Sequence, residues 1–178
     1  EKSCIPVFAR LFQHSLIIMN SIIISLGTNI GKREKNLEQA KRLLEEQGII
    51  ILKQSSIYET EPFGYADQDF FLNQVVIVEA KDNPEDLLRK CLAIENKMGR
   101  IRAGKFGPRV MDIDILFYKN KALNTKTLIL PHPWIPKRKF VLIPINELIP
   151  QEQHPVLKKT LQQLLDDCED NLIVERQK

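Results

Sequence analysis

Apolar and polar positions change their spacing along this chain, and each change marks an element. Ser21–Leu26 is an isoleucine-rich run of strand length, and it ends in the loop sequence GTNIG. From Arg33 to about Gln47 the apolar spacing becomes helical: Leu37, Ala40, Leu43 and Leu44 form one stripe, and Gly48 stands where a helix closes. Ile49–Tyr58 and Phe70–Ala80 predict a second and a third strand, separated by the loop ETEPFGYADQD. The stretch NPEDLLRKCLAIENKMG predicts a well-delimited helix. Asn83 caps it, Pro84 opens it, Glu85 and Asp86 face the positive end of its dipole, and Gly99 stops it. Leu87, Cys91, Ile94 and Met98 are its buried stripe.

A loop from Arg100 to Pro108 leads to the strand VMDIDILFY. KNKALNT then reads as a turn, TLILP as a short apolar stretch and PHPWIPKRK as a loop. FVLIPINELIP and VLKKTLQQLLDD predict two further helical segments, and NLIVE a last strand. The order β-α-β-β-α-β predicts an α+β fold: a ferredoxin-like core, mostly antiparallel sheet with helices packed on it, plus C-terminal additions. No internal repeat or low-complexity segment divides it.

Composition narrows the picture mainly by exclusion. With 178 residues, 43% apolar and 28% charged, the chain has the makeup of one globular domain. A net charge of +3 does not announce a nucleic acid or a membrane surface as partner. The cysteines, Cys4, Cys91 and Cys168, are far apart, which argues against a zinc site or a disulfide framework and fits a reducing cytoplasm. No apolar run approaches the ~20 residues of a membrane helix. Residues 1–18 precede Met19, and Arg10, Gln13 and His14 interrupt any signal-peptide core. We read 1–18 as an N-terminal extension, a cloning-derived segment or a linker remnant, and 19–178 as a single domain.

Candidate chemistry enters with Asp112 and Asp114, two carboxylates inside an otherwise apolar strand. Strand alternation puts both on one face, with Met111, Ile113 and Ile115 on the other. Their Cα atoms lie roughly 6.6 Å apart, a spacing at which two carboxylates share or pair divalent ions. Such a pair on an edge strand often does no more than face water. Here the preceding KMGRIRAGKFGPR adds Lys97, Arg100, Arg102, Lys105 and Arg109 without one acid. Guanidinium groups bind phosphate oxygens in pairs, and Mg²⁺ takes one or two carboxylates plus substrate phosphates. Cations and metal ligands at one strand end describe a polyphosphate–metal site. GTNIGKR is not a Walker loop, because its glycines are too close and Arg33 stands where Ser or Thr belongs. The protein-kinase motif set is absent too.

A second cluster, Thr60, Phe63, Phe71 and Asn73, combines flat faces with amide hydrogen bonding and suits a planar heterocycle. Aromatics at a strand start are more often core, so the cluster is weak alone, as are His132, Arg138 and Phe140 downstream.

Together, SLGTNIG, SSIYETEPFG, DFFLNQVV, IENKMGRIR, FGPRVMDIDILFY and LPHPWIPKRKFVLIPINEL resemble the 6-hydroxymethyl-7,8-dihydropterin pyrophosphokinases of folate biosynthesis, over about Ser21–Pro150. The resemblance implies transfer of diphosphate from ATP to the hydroxymethyl group of the pterin, releasing AMP. It implies two Mg²⁺ ions on Asp112 and Asp114, and phosphate contacts with a role in transfer for Arg100 and Arg109. Glu95, Arg102, Ile115, His132 and Arg138 match further ATP-site positions, with Glu95 expected at the edge of the site. Thr60, Glu61, Phe63, Phe71, Asn73, Phe106, Asp112 and Phe140 match the pterin pocket. ATP and the hydroxymethyl-dihydropterin are thus the expected small-molecule partners, and the family leaves room for fusion to or association with another folate-pathway enzyme. The chain departs from the pattern in a short loop between Arg102 and Phe106, in Leu92 and Glu61, and in Pro133 where an aromatic can stand. A rival reading, an RNA-binding module of the same strand order, requires exposed aromatics in a K/R-G-F/Y motif, which is missing. A degenerate domain kept for protein contacts would have lost the aspartates or arginines, which are intact.

Overall fold

The computed structural model describes residues 21–64, 67–100 and 107–178. Its centre is strand β1, Ile22–Thr28, buried along its whole length between β4, Phe71–Glu79, and β5, Asp112–Tyr118. The six-stranded sheet runs β5-β1-β4-β3-β8, with β2 also paired to β4, and every pairing is antiparallel. The expected second strand is divided into β2, Ile50–Gln54, and β3, Tyr58–Thr60. Between them Ser55 turns inward: its N–H reaches the Val75 carbonyl at 2.8 Å and its Oγ accepts the Val75 N–H at 3.0 Å. The last strand, β8, Val174–Arg176, pairs with β3.

Both faces of the sheet are covered, which explains why its strands read as continuous apolar runs. On one face Ile22, Ile24, Leu26, Leu72, Val76, Val78, Ile113 and Ile115 pack with the stripes of helix α1, Arg33–Glu46, and helix α2, Pro84–Lys97. The Asn83 side chain accepts the Asp86 N–H at 2.9 Å and caps α2 as the sequence predicts. On the other face Ile23, Val75, Ile77, Leu116 and Phe117 pack with helix α3, Lys139–Leu148, and helix α4, Leu161–Asp166. A bulge in β5 opposite Ile23/Ile24 lets the consecutive Leu116 and Phe117 both serve this second core.

Helix α3 follows a stretch expected to be loop but containing a short 3-10 turn, Ile135–Lys137. Asp170 accepts the Lys139 N–H at 2.8 Å and so supplies the N-terminal partner that α3 lacks in its own cap residue. The region read as a turn and an apolar stretch forms a small hairpin, β6 (Leu123–Asn124) and β7 (Ile129–Leu130), ahead of a cis Leu130–Pro131 bond. Helices α3 and α4 cover only one end of their face. Toward the other end the same face presents Ser25, Gly27, Asn73, Asp112 and Asp114, and here a cavity opens.

Candidate functional site

The cavity encloses about 570 Å³ and its floor is sheet. Register across the strands fixes that floor. Asn73 of β4, Gly27 of β1 and Asp112 of β5 form one row, and Val75, Ser25 and Asp114 the row two residues along. A Cβ on Gly27 would stand 2.9 Å from the Asn73 Oδ1, so glycine at this place leaves the Asn73 amide its room.

At the β5 end the charges are organised around Asp112. Its carboxylate receives Arg100 at 2.6 Å on one oxygen and Arg109 at 2.5 Å on the other. Arg100 also pairs with Glu95, whose Oε1 accepts the Ile113 N–H at 2.7 Å. Glu95, expected at the edge of the site, is only 1% exposed and lies beneath it, clamping α2 to β5. Burial raises the Glu95 carboxyl above its usual range, against the pull of the Ile113 N–H and Arg100. Burial also works against the Arg100 charge, but Asp112 and Glu95 more than offset it and hold that pKa up.

Asp114 differs from its neighbour. It forms no ion pair among the described residues, and burial, then the nearby Asp112 charge, push its carboxyl up to about 7. A recessed carboxyl raised by burial and by a like charge, with no described cation in ion-pair contact, is the observation that fits a divalent ion. Among the described residues no group of three or more His, Cys, Asp or Glu side chains forms a ready metal cage. Two carboxylates alone suit Mg²⁺, which fills its shell with water and phosphate oxygens.

The other end is aromatic and amide-lined. Asn73 donates to the Thr60 Oγ1 at 2.6 Å, and both are buried, leaving the Asn73 Oδ1 toward Gly27. Phe71 carries the Arg109 guanidinium 5.7 Å from its ring centroid. Arg138 lies among Phe63, Trp134 and Phe140, at 5.7, 5.4 and 5.5 Å from their centroids. Burial, only partly countered by Asp114 and Asp112, lowers the Arg138 pKa. His132 also lines the cavity. Burial, then Arg138, bring its pKa down to about 4, so it is neutral at pH 7. Its Nδ1 accepts the Trp134 N–H at 3.4 Å, which leaves Nε2 as the donor.

Of the residues expected from the sequence, Thr60, Glu61, Phe63, Phe71, Asn73, Glu95, Arg100, Arg109, Asp112, Asp114, His132, Arg138 and Phe140 line this one cavity. The Glu61 carboxylate accepts the Ile173 N–H at 2.8 Å and so also holds the C-terminal strand. Ile115 is not brought there: alternation along β5 turns its side chain into the helix-facing core. Arg102, Lys105 and Phe106 lie outside the described residues.

Trp134 and Asn29 are among the residues that escaped the sequence reading. Trp134 stands in a stretch read only as loop, yet it lines the cavity. Asn29, in a loop read only as a glycine turn, ties two walls together. Its Oδ1 accepts the Arg109 N–H at 2.8 Å, its own N–H reaches the Arg109 carbonyl at 3.1 Å, and its Nδ2 donates to Gln68 and to the Asp69 carbonyl, both at 3.0 Å. An asparagine directly after a buried strand was the only available signal.

Comparison with known proteins bears on this geometry. Residues 23–150 match the family model described as 7,8-dihydro-6-hydroxymethylpterin-pyrophosphokinase (HPPK). The 2-amino-4-hydroxy-6-hydroxymethyldihydropteridine pyrophosphokinase of Bacillus subtilis is 46% identical over 135 residues, covering 75% of this chain and 81% of that protein. A folate synthesis bifunctional protein of Arabidopsis thaliana is 41% identical over 132 residues, 74% of this chain but 27% of its own length. The crystal structure of an HPPK-DHPS in complex with substrates superimposes with a TM-score of 0.66 at 16% identity, over 83% of this chain and 43% of that one, a likeness of fold.

Proposed function

The chain belongs to the 7,8-dihydro-6-hydroxymethylpterin-pyrophosphokinase family and is a pyrophosphokinase of folate synthesis, and from that premise we propose how its cavity serves the transfer. The donor is ATP, which lies along the Asp112–Asp114 end. The acceptor, 6-hydroxymethyl-7,8-dihydropterin, lies between the aromatic rings with its polar edge on Asn73 and Thr60. One observation carries this reading: a single sheet face presents the Asp112–Arg100–Arg109 cluster and the Asn73–Thr60 pair side by side, with Asn73 and Asp112 in one row on either side of Gly27.

In the proposed reaction the pterin hydroxyl oxygen bonds to the β-phosphorus, the bond to the α–β bridging oxygen breaks, AMP departs and the hydroxyl proton passes to water. Two Mg²⁺ ions held by Asp112 and Asp114 would neutralise phosphate charge and polarise the transferred group. Arg100 and Arg109, held at the cavity wall by Asp112, are placed to meet charge developing on the phosphate oxygens. His132, neutral and donating through Nε2, offers a hydrogen bond without adding charge. Phe71 and Phe140 hold the pterin plane so that its hydroxymethyl group points at the phosphates. No side chain is assigned as general base.

Cys91 and Cys168 are free thiols, and no described helix is long and apolar enough to cross a membrane; a reducing, cytoplasmic location is the one proposed. The bifunctional folate synthesis proteins of Arabidopsis thaliana among the relatives support fusion to, or association with, another folate-pathway enzyme as a further expectation. An AMP-release assay with ATP, Mg²⁺ and hydroxymethyl-dihydropterin tests the reading. Pterin-dependent AMP and pterin diphosphate are expected in equal amounts, and ATP consumption without them overturns it.

A further inference from the structure

The arginines of the cavity are held in two different ways. Arg100 and Arg109 are neutralised in place, the first by Glu95 and Asp112, the second by Asp112. Among the described residues Arg138 has no carboxylate in ion-pair contact, and its Nε is buried without a hydrogen-bond partner. What surrounds it instead is carbon: the rings of Phe63, Trp134 and Phe140. Phe140 and Phe63 are accounted for by the heterocycle end of the site. Trp134 is not, and it is 42% exposed, which is costly for an indole that serves only packing.

The local chain explains its position. Trp134 and Arg138 flank the 3-10 turn Ile135–Lys137, so the turn brings the indole back over the guanidinium four residues on. The same residue's backbone N–H fixes the His132 tautomer. Trp134 therefore touches both of the cavity's anion-seeking groups that carry no ion pair.

We propose that Trp134 is a positioning residue for polyphosphate: its indole face holds the Arg138 guanidinium, which no described carboxylate meets in an ion pair, at the wall of the cavity where phosphate oxygens arrive. An aromatic face stabilises a cation without neutralising it, so the full charge stays available to an incoming anion. A carboxylate in the same place would have to be displaced first. This rests on the pyrophosphokinase reading for the identity of the anion, but the contact itself requires only a polyphosphate.

The test is a double-mutant cycle read by calorimetric binding of inorganic tripolyphosphate with Mg²⁺, using the full chain. Trp134→Ala is expected to weaken binding about fivefold, and Trp134→Phe to recover most of the loss. In an Arg138→Ala background Trp134→Ala should add nothing further. Melting temperatures of the variants check that each is folded; the exposed position of Trp134 makes that the expected result. Wild-type affinity in Trp134→Ala overturns the proposal, as does an undiminished loss in the Arg138→Ala background or a Trp134→Phe variant as weak as Trp134→Ala. AMP release by the wild type is measured alongside. If it fails while the cycle behaves as expected, the reaction assigned to the site is wrong and the role of Trp134 stands.

Discussion

Asn73 and Asp112 stand on either side of Gly27 in one cross-strand row, so the hydrogen-bonding amide and the arginine-bound carboxylate share a floor with no side chain between them. A methyl group on Gly27 would come within 2.9 Å of the Asn73 Oδ1 while its contact with the Asp112 Cβ, at 3.9 Å, would be ordinary. The strain falls on one partner. Gly27→Ala is therefore expected to rotate the Asn73 amide away from Thr60 and raise the KM for the pterin about tenfold, by loss of roughly one well-placed hydrogen bond. The KM for ATP should stay within about twofold, because no nucleotide contact is disturbed. Steady-state kinetics with each substrate varied in turn checks this, and equal losses on both would show that the row is not the divide proposed.

Asp114 makes a prediction about the protein without ligands. Its carboxyl, raised to about 7 by burial and by Asp112, binds a proton in the folded state that the unfolded chain has already released above its ordinary value of 3.8. Stability therefore falls as pH rises between those two values and levels off above the folded one. Asp114→Asn removes the penalty. In metal-free buffer its melting temperature should exceed that of the wild type, with a margin that grows from pH 5 to pH 8. The variant should have no pyrophosphokinase activity at either pH. A constant margin across that range, measured by thermal melts, would remove Asp114 as the titrating group.

Much of this arrangement was legible because it rests on short periods. The two-residue alternation that buries Ile113 and Ile115 delivers Asp112 and Asp114 to the opposite face, and Asn83, Pro84 and Gly99 delimit α2 through chemistry local to each end. What escaped reading depends on partners distant in sequence. The division of the second strand follows from Ser55 bonding to Val75, twenty residues away. The depth of Glu95 is set by the Ile113 N–H and Arg100 rather than by its own helix, where it reads as one more charged position. Trp134 gains its place only once a 3-10 turn folds it back on Arg138.

Glu147 ties the two sides of the second core together. Its carboxylate accepts the Ser56 N–H and hydroxyl, both at 2.9 Å, and the Tyr58 hydroxyl at 3.0 Å, joining α3 to β3. Burial alone would raise its pKa, but these hydrogen bonds prevail and hold it below the usual range. The sign is opposite to that of Asp114. The folded state binds fewer protons, so the stabilisation is present above the ordinary carboxylate pKa and is lost as pH falls through the depressed one. Glu147→Gln is expected to cost about 1–2 kcal/mol at pH 7. Urea midpoints should converge with the wild type as the pH is lowered below about 4, and a gap that stays constant on acidification would count against the assignment.

Asn29 makes the sharpest test of how the cavity's two walls are joined, because its side chain divides its bonds by polarity. The Oδ1 serves only the Arg109 wall, and the Nδ2 serves only the Gln68–Asp69 segment that leads into Phe71. At 2% exposure no water replaces either bond cheaply. Asn29→Asp keeps the acceptor and loses both donors, setting a carboxylate against the Asp69 carbonyl. It should loosen the Phe71 wall and raise the pterin KM about fivefold, with a smaller change for ATP. Asn29→Ala loses both side-chain links and should lower kcat as well, since the Arg109 N–H then loses its acceptor and only the residue-29 N–H to the Arg109 carbonyl still ties the two backbones together. Arg109 would reach the phosphates in a less defined pose, and orientation is what the transfer depends on. Kinetics of the two variants side by side, with melting temperatures to confirm folding, decides it. Identical profiles for Asp and Ala would mean that Asn29 serves one wall only, and the link between Arg109 and Phe71 would have to run through another residue.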